Sequence, residues 1–305
     1  MTGKIDLHMH STCSDGTDSP EELVKKVKDA GIVLFALTDH DTVAGVCRMQ
    51  ELAKENGITC ISGVEFSCLI DEKDADSDCH ILGLGIDVSH ESIQKLVQKN
   101  QENRQKKLYE ILDYLETFSI RLDPEVIAEL AKIHNVGKPA VANAVIDAGY
   151  MMEQAEKEIR TGYASSQAKI RSRAKDLLFQ NYLNDFSSLL HISAKEAIEG
   201  IRKAGGIAVW AHPIGDKKDT ATHDLGFKFA TQLKAMMDFG IQGLECCYSR
   251  YTEEEIAFLL KTARQHQLLI SGGSDYHGKN KDTKLAQTGR DIVHQEEITV
   301  HKIWG

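Results

Sequence analysis

At 305 residues the chain is long enough for one large α/β domain, or for a barrel of ordinary size that carries an insertion. Its net charge of −10 excludes a broad, nonspecific grip on nucleic acid, which depends on basic surface. The seven cysteines (Cys13, Cys47, Cys60, Cys68, Cys79, Cys246, Cys247) form no CxxC pair and no regular framework, so reduced thiols are expected rather than a disulfide scaffold.

The opening MTGKIDLHMH runs straight into strand-like sequence and lacks the basic and long apolar regions of a secretion signal. No uncharged apolar stretch reaches the roughly 20 residues that a membrane span requires. A cytoplasmic chain with no membrane partner is expected.

Strands are predicted at residues 4–10, 33–38, 58–64 and 80–86, and again at 206–211, 242–246 and 268–273. Helical patterns stand between several of them, at 19–30 (with Pro20 and Glu21 at its start), 51–56 and 252–266. Alternation of this kind implies parallel βαβ units. Seven such strands can close into a distorted (β/α)7 barrel with its active residues at the C-terminal strand ends.

The rhythm breaks between residue 89 and about residue 190. That stretch is almost wholly helical in pattern, with long charged segments at 98–116 and 155–180. It is too long for a crossover, so residues 89–190 are read as an inserted helical subdomain and residues 1–88 with 191–305 as the barrel. Part of 162–175 could instead form a mobile loop.

Candidate ligands for a metal lie along the barrel strands. Asp6-Leu7-His8-Met9-His10-Ser11 places His8 and His10 two apart, so both can point to one face of a strand. A lone HxH is weak evidence. Asp15 follows in the next loop. Thr38-Asp39-His40-Asp41 comes at the end of the second predicted strand, and Glu65 directly after the third. His80 opens the fourth strand, His212 follows the fifth, and Asp275 and His277 repeat the two-apart spacing after the last. Each has a bland reading as a turn, a cap or a solvated strand end. Barrel topology, however, brings strand ends together around one mouth. His80 fits least well, because it stands at the start of a strand. Asp39 and Asp41 could orient His40 or cap their loop.

The segments DLHMHS, TDHD, GVEFS, AHP and GGSDYHG together resemble the PHP (polymerase and histidinol phosphatase) superfamily, over about residues 4–88 and 192–280. The chain looks most similar to the small bacterial branch that acts on nucleoside 3′,5′-bisphosphates and short RNA 5′ ends. That resemblance implies a distorted (β/α)7 barrel with three divalent cations, Mn, Fe or Zn, as cofactors. It implies His8, His10, Glu65 and Asp275 at one cation, Glu65, His80 and His212 at a second, and Asp15, His40 and His277 at a third. Imidazole and carboxylate donors without thiolate suit such metals better than calcium.

The activity so implied is hydrolysis of a phosphomonoester by a metal-bridged hydroxide, with Glu65, His212 and Asp275 as catalytic residues. The partner would be a small phosphorylated substrate, such as a nucleotide or short oligonucleotide, with no stable nucleic-acid complex. Lys138, Ser249 and Arg250 are the implied substrate-binding residues. Lys138 and Ala140 stand where close relatives usually have Arg and His, and an ammonium cannot make the bidentate fork of a guanidinium. Other readings are a phosphatase for another small ester such as histidinol phosphate, amidohydrolase chemistry on a C–N bond, or a non-catalytic metal-binding module.

Overall fold

The computed structural model describes residues 3–74, 77–133, 136–159, 167–183, 190–215, 227–289 and 295–303. The chain divides into two compact units, Met1–Asn100 with His191–Gly305, and Gln101–Leu190. Among the described residues no helix is long and apolar enough to cross a membrane.

The first unit is built on one mixed sheet. Its strands are β1 (Lys4–Asp6), β2 (Ile32–Leu37), β3 (Thr59–Leu69), β4 (Asp78–Leu84), β5 (Ile192–Ser193), β6 (Ile207–Ala211), β7 (Gly243–Tyr248) and β8 (Leu269–Gly273). Seven strands run in the order β1-β2-β3-β4-β6-β7-β8, and short β5 pairs with the far end of β3. Backbone bonds close the path between its two ends. Leu7 N–H donates to Gly272 at 3.2 Å, Asp275 N–H to His8 at 2.8 Å and His10 N–H to Tyr276 at 2.9 Å. The result is a nearly closed, barrel-like sheet.

Outside it lie α1 (Pro20–Asp29), α2 (Val46–Glu55), α8 (Ala194–Lys203), α9 (Phe227–Phe239) and α10 (Glu253–Gln265). Ser19, Ser193 and Thr252 close capping boxes at the starts of α1, α8 and α10, each with a Glu three residues on, which fixes where these helices begin. Leu23, Val24 and Val27 of α1 and Met49 and Leu52 of α2 pack on Phe35 and Leu37 of β2. A separate cluster joins Ile5, Leu34, Ala36, Ile61, Leu82, Leu84 and Val209 from five strands.

Several sequence expectations shift. β1 ends at Asp6, so His8 and His10 lie beyond the regular ladder and are held by the closing bonds above. β3 continues through Glu65 to Leu69, because its first half pairs with β2 and its second half with β4. β4 is antiparallel to both β3 and β6, so the sheet is not wholly parallel. α2 begins at Val46, earlier than the periodicity alone indicates.

The second unit is helical. α3 (Glu91–Glu116) runs across the division between the two units, which is why the boundary falls inside a helix instead of at residue 89. α4 (Pro124–Lys132), α5 (Lys138–Asp147), α6 (Met152–Ile159) and α7 (Gln167–Leu178) follow, and Phe179–Leu183 adds one π-helical turn. The described part of the charged stretch 155–180 lies in α6, α7 and the π-helical turn, so residues 167–175 of the alternative loop reading are helical, while residues 160–166 lie outside the described residues. Leu108, Ile111 and Leu115 of α3, Val141 and Val145 of α5 and Leu177 and Leu178 of α7 share one core.

Closure of the barrel depends on Gly273. A Cβ there would lie 2.3 Å from His8 Cβ and 2.6 Å from His8 N, and backbone cannot yield as a flexible side chain can. Gly273→Ala should therefore destabilise by at least the roughly 1–3 kcal/mol typical of overpacking. Urea denaturation of this variant with an unchanged midpoint would show that β1 and β8 are not held this closely.

Candidate metal centre

Strand ends bring nine imidazole and carboxylate side chains to one end of the barrel. His8 and His10 come from the segment after β1, Asp15 from the loop before α1, and His40 from the end of β2. Glu65 lies in mid-β3, His80 near the start of β4 and His212 just beyond β6, while Asp275 and His277 follow β8. Because β4 runs antiparallel, its beginning lies beside the C-terminal ends of its neighbours. Register pairs His80 with Ser67 on one side and Ala211 on the other. That accounts for the histidine that fitted a parallel barrel least well.

Glu65 is the hub. It is fully buried, and its Oε2 stands 3.1 Å from His8 Nε2, 3.1 Å from His10 Nε2 and 3.2 Å from His40 Nδ1. Its Oε1 stands 2.9 Å from His80 Nδ1 and 3.1 Å from His212 Nε2. Asp275 Oδ1 faces His10 Nε2 at 3.2 Å and His277 Nδ1 at 3.3 Å. Asp15 Oδ1 faces His277 Nε2 at 3.3 Å. The potential donor atoms fall into three groups, His8–His10–Glu65–Asp275, His10–Asp15–His40–His277 and His40–Glu65–His80. His212 joins the last through its ring nitrogen, 3.2 Å from His80 Nδ1.

Burial is graded across the cluster. The His8, His10 and Glu65 side chains are wholly enclosed, whereas those of His80, His212 and Asp15 are 24, 20 and 45 % exposed. The centre therefore has a closed floor and an open rim.

These residues fit bound cations on their own geometry. His8 Nε2, His10 Nε2, His40 Nδ1, His277 Nε2 and Glu65 Oε2 are all buried, and none makes a hydrogen bond of acceptable geometry with a described residue. Leaving so many polar atoms buried without partners is costly unless something else satisfies them. Without thiolates, a mixed imidazole and carboxylate set suits a divalent transition metal. In the bare protein, burial pushes the Glu65 and Asp275 carboxyls up, yet the surrounding imidazoles carry both well below the usual carboxylate range. Burial likewise pushes His10 down, but Asp275 and Glu65 outweigh it and raise the ring to about 9. His40 goes the other way, driven by burial to about 3. A divalent cation would supply the missing positive charge without requiring every ring to hold a proton.

The surrounding acids hold the loops. Asp39 accepts from Ser11 N–H at 2.8 Å, Ser11 Oγ at 2.7 Å and Ser14 Oγ at 2.6 Å, which fixes the loop that carries His10 and Asp15. Asp41 accepts from Ser67 N–H at 2.9 Å and from the Asn100 amide. Asp39 thus clamps the loop before α1, while Asp41 ties its own turn to β3 and α3.

Asp6, Glu245, Tyr248 and Lys281 complete the surroundings, and nothing in the motif reading singled them out. Asp6 accepts from Ser274 N–H and Oγ and from Ala286 N–H, fixing the turn before Asp275, and burial raises its carboxyl to about 6. Tyr248 Oη at 2.9 Å and Lys281 Nζ at 2.5 Å donate to Asp275 Oδ2. Glu245 meets His8 Nδ1 at 2.9 Å and accepts from His212 N–H at 2.8 Å. A detectable signal existed for Glu245, since an acid inside the apolar run Leu244-Glu245-Cys246 is unusual for a buried strand.

The three substrate-binding candidates lie apart in the chain. Ser249 and Arg250 occupy the turn after β7, where the Ser249 carbonyl accepts from the Gln287 amide. Lys138 opens α5 in the helical unit, and its ammonium donates to the Leu183 carbonyl at 2.9 Å.

Comparison with known proteins identifies the family and the fold. The PHP domain family model matches residues 6–164. A 5′-3′ exoribonuclease of Haemophilus influenzae is 33% identical over 92% of this chain and 96% of its own length. A phosphoribosyl 1,2-cyclic phosphate 1,2-diphosphodiesterase of Eggerthella lenta is 28% identical over 90% and 94%. A 3′,5′-nucleoside bisphosphate phosphatase of Chromobacterium violaceum is 27% identical over 96% and 92%. Among solved structures, a Bifidobacterium adolescentis protein assigned as a metal-dependent phosphoesterase superposes with a TM-score of 0.70. It is 26% identical, with 95% of this chain and 94% of that one covered.

Cation binding should be visible as stability. Mn²⁺ or Zn²⁺ at about 100 times its dissociation constant should add about 2.7 kcal/mol, and a chelator should remove it. Thermal denaturation that ignores both additions would argue that the cluster is held by its protons alone.

Proposed function

Because this chain belongs to the PHP family and is a metal-dependent phosphoesterase, we propose that its centre holds three divalent cations and hydrolyses a phosphomonoester on a nucleotide or short RNA. The observation that carries this reading is the arrangement around Glu65. Its two carboxylate oxygens face different sets of imidazoles, as expected of a residue that bridges two cation sites. His8, His10 and Asp275 would complete one site, and His80 and His212 another. Asp15, His40 and His277 would form the third, with His10 close to both its own site and this one.

When bound, the cations would offset phosphate charge and bring the pKa of a coordinated water toward neutrality. The chain's own residues would fix where this happens. Tyr248 and Lys281 hold the outer oxygen of Asp275, leaving Oδ1 turned toward His8 and His10. The half-exposed Asp15 and the partly exposed His80 and His212 form the edge at which an anionic substrate would enter. Glu65, His212 and Asp275 are the proposed catalytic residues.

Ser249 and Arg250, directly after Tyr248, are proposed phosphate contacts. Lys138 has that role through the family resemblance alone, and Lys138→Ala should then raise KM for bisphosphates more than for monophosphates. Mn, Fe and Zn all suit the donor set. The cytoplasm is the proposed compartment, in keeping with seven free cysteines.

The named activities of the relatives favour a nucleotide or RNA end. The Eggerthella lenta similarity sustains a second reading, a small sugar phosphate ester. A hydrolysis panel with Mn²⁺, covering nucleoside 3′,5′-bisphosphates, 5′-phosphorylated short RNAs, sugar phosphates and an aryl phosphate, separates the two. Turnover confined to the sugar phosphates would overturn the nucleotide reading.

Glu65→Gln should lose more activity than the roughly 10–100-fold typical of removing an outer partner, and should lower metal content at two sites together. Full metal content and unchanged aryl phosphate hydrolysis in this variant would remove the bridge.

A further inference from the structure

Glu245 is fully buried on β7, the one long barrel strand that supplies none of the nine candidate ligands. The pairing of β7 with β8 shifts register between Glu245 and Cys247. Such a bulge re-aims side chains, and here it accompanies an acid directed at the metal centre. One oxygen, Oε1, lies 2.9 Å from His8 Nδ1. The other, Oε2, accepts from His212 N–H at 2.8 Å. His212 adopts a φ of 27°, a left-handed conformation that a non-glycine residue holds only when its surroundings impose it.

We propose that Glu245 is a positioning residue shared by two cation sites, orienting the His8 ring on one side and the His212 backbone on the other. The inference rests on the metal-centre reading above. For His8 to offer Nε2 to a cation, Nδ1 must carry the proton, and a carboxylate at Nδ1 selects that tautomer. The same group anchors the strained backbone of His212, whose ring reaches Glu65 Oε1. Both contacts require an acceptor from Glu245.

That requirement makes the isosteric amide diagnostic. Glutamine has one acceptor oxygen and one donor nitrogen, so it cannot satisfy His8 Nδ1–H and His212 N–H together. Turned one way it favours the wrong His8 tautomer; turned the other it sets donor against donor at His212.

The test uses the full chain and measures cation binding directly, by competition of Mn²⁺ and Zn²⁺ between the protein and a chromophoric chelator. Glu245→Gln should weaken at least one cation by about 10–100-fold. Excess Mn²⁺ should restore aryl phosphate hydrolysis with KM little changed, whereas a fold defect would not respond to metal. Circular dichroism of the chelated variant should match that of the chelated parent. Should Glu245→Gln not fold, Glu245→Asp takes its place, because the shorter arm keeps the charge but reaches only one of the two partners. A parent that binds cations and a folded variant that binds them equally well would overturn the inference alone. A parent that binds no cation would overturn the metal-centre reading and this inference with it.

Discussion

A carboxylate enclosed by five imidazoles is the constraint around which the barrel mouth is organised. Glu65 has no exposed surface, and an ionised acid in that position is untenable unless surrounding charge balances it. His8, His10, His40, His80 and His212 surround it, drawn from four different loops or strand ends, and a cation among them would supply charge that the rings alone do not. Moving any of these elements would leave the acid or a ring without its neighbour. The sheet path, the loops and the close approaches can all be understood as means of keeping that assembly in register.

Three devices do this. Antiparallel β4 delivers a strand beginning to an end otherwise populated by strand endings, which makes room for His80. Asp6, Asp39 and Asp41 accept backbone and hydroxyl hydrogen bonds from loops next to the ligands, so the turns are fixed by short, buried, charge-assisted contacts. Asp41, His212 and Asp275 take positive φ angles despite carrying side chains. Strained backbone concentrated beside a cluster of this kind is the pattern expected of a functional site, where the fold offsets a local cost to aim a side chain.

The same arrangement reconciles an acidic chain with an anionic substrate. A net charge of −10 repels phosphate at long range, so attraction has to be local. Cations on a buried floor with an open rim would present concentrated positive charge to one phosphate while leaving the outer surface acidic. Lys281, held against Asp275, adds a cation of the protein's own at this position. Relatives similar over nearly the whole chain carry names for different phosphate esters, so the shared fold does not by itself fix the substrate.

Local pattern in the sequence determined much of this. Short apolar runs located most of the strands, Pro20 and Glu21 marked the start of α1, and acids and histidines beside strands pointed to the ligands. These signals survive in the sequence because they depend on neighbours along the chain. Tertiary structure alone decided the direction of β4, the extension of β3 through Glu65 and the placement of Glu245. Strand direction depends on which edges are free to pair, and an apolar run reads alike in either sense. Glu245 meets His8 across 237 positions, so no local spacing relates them; only the closed sheet brings the two side chains within hydrogen-bond distance.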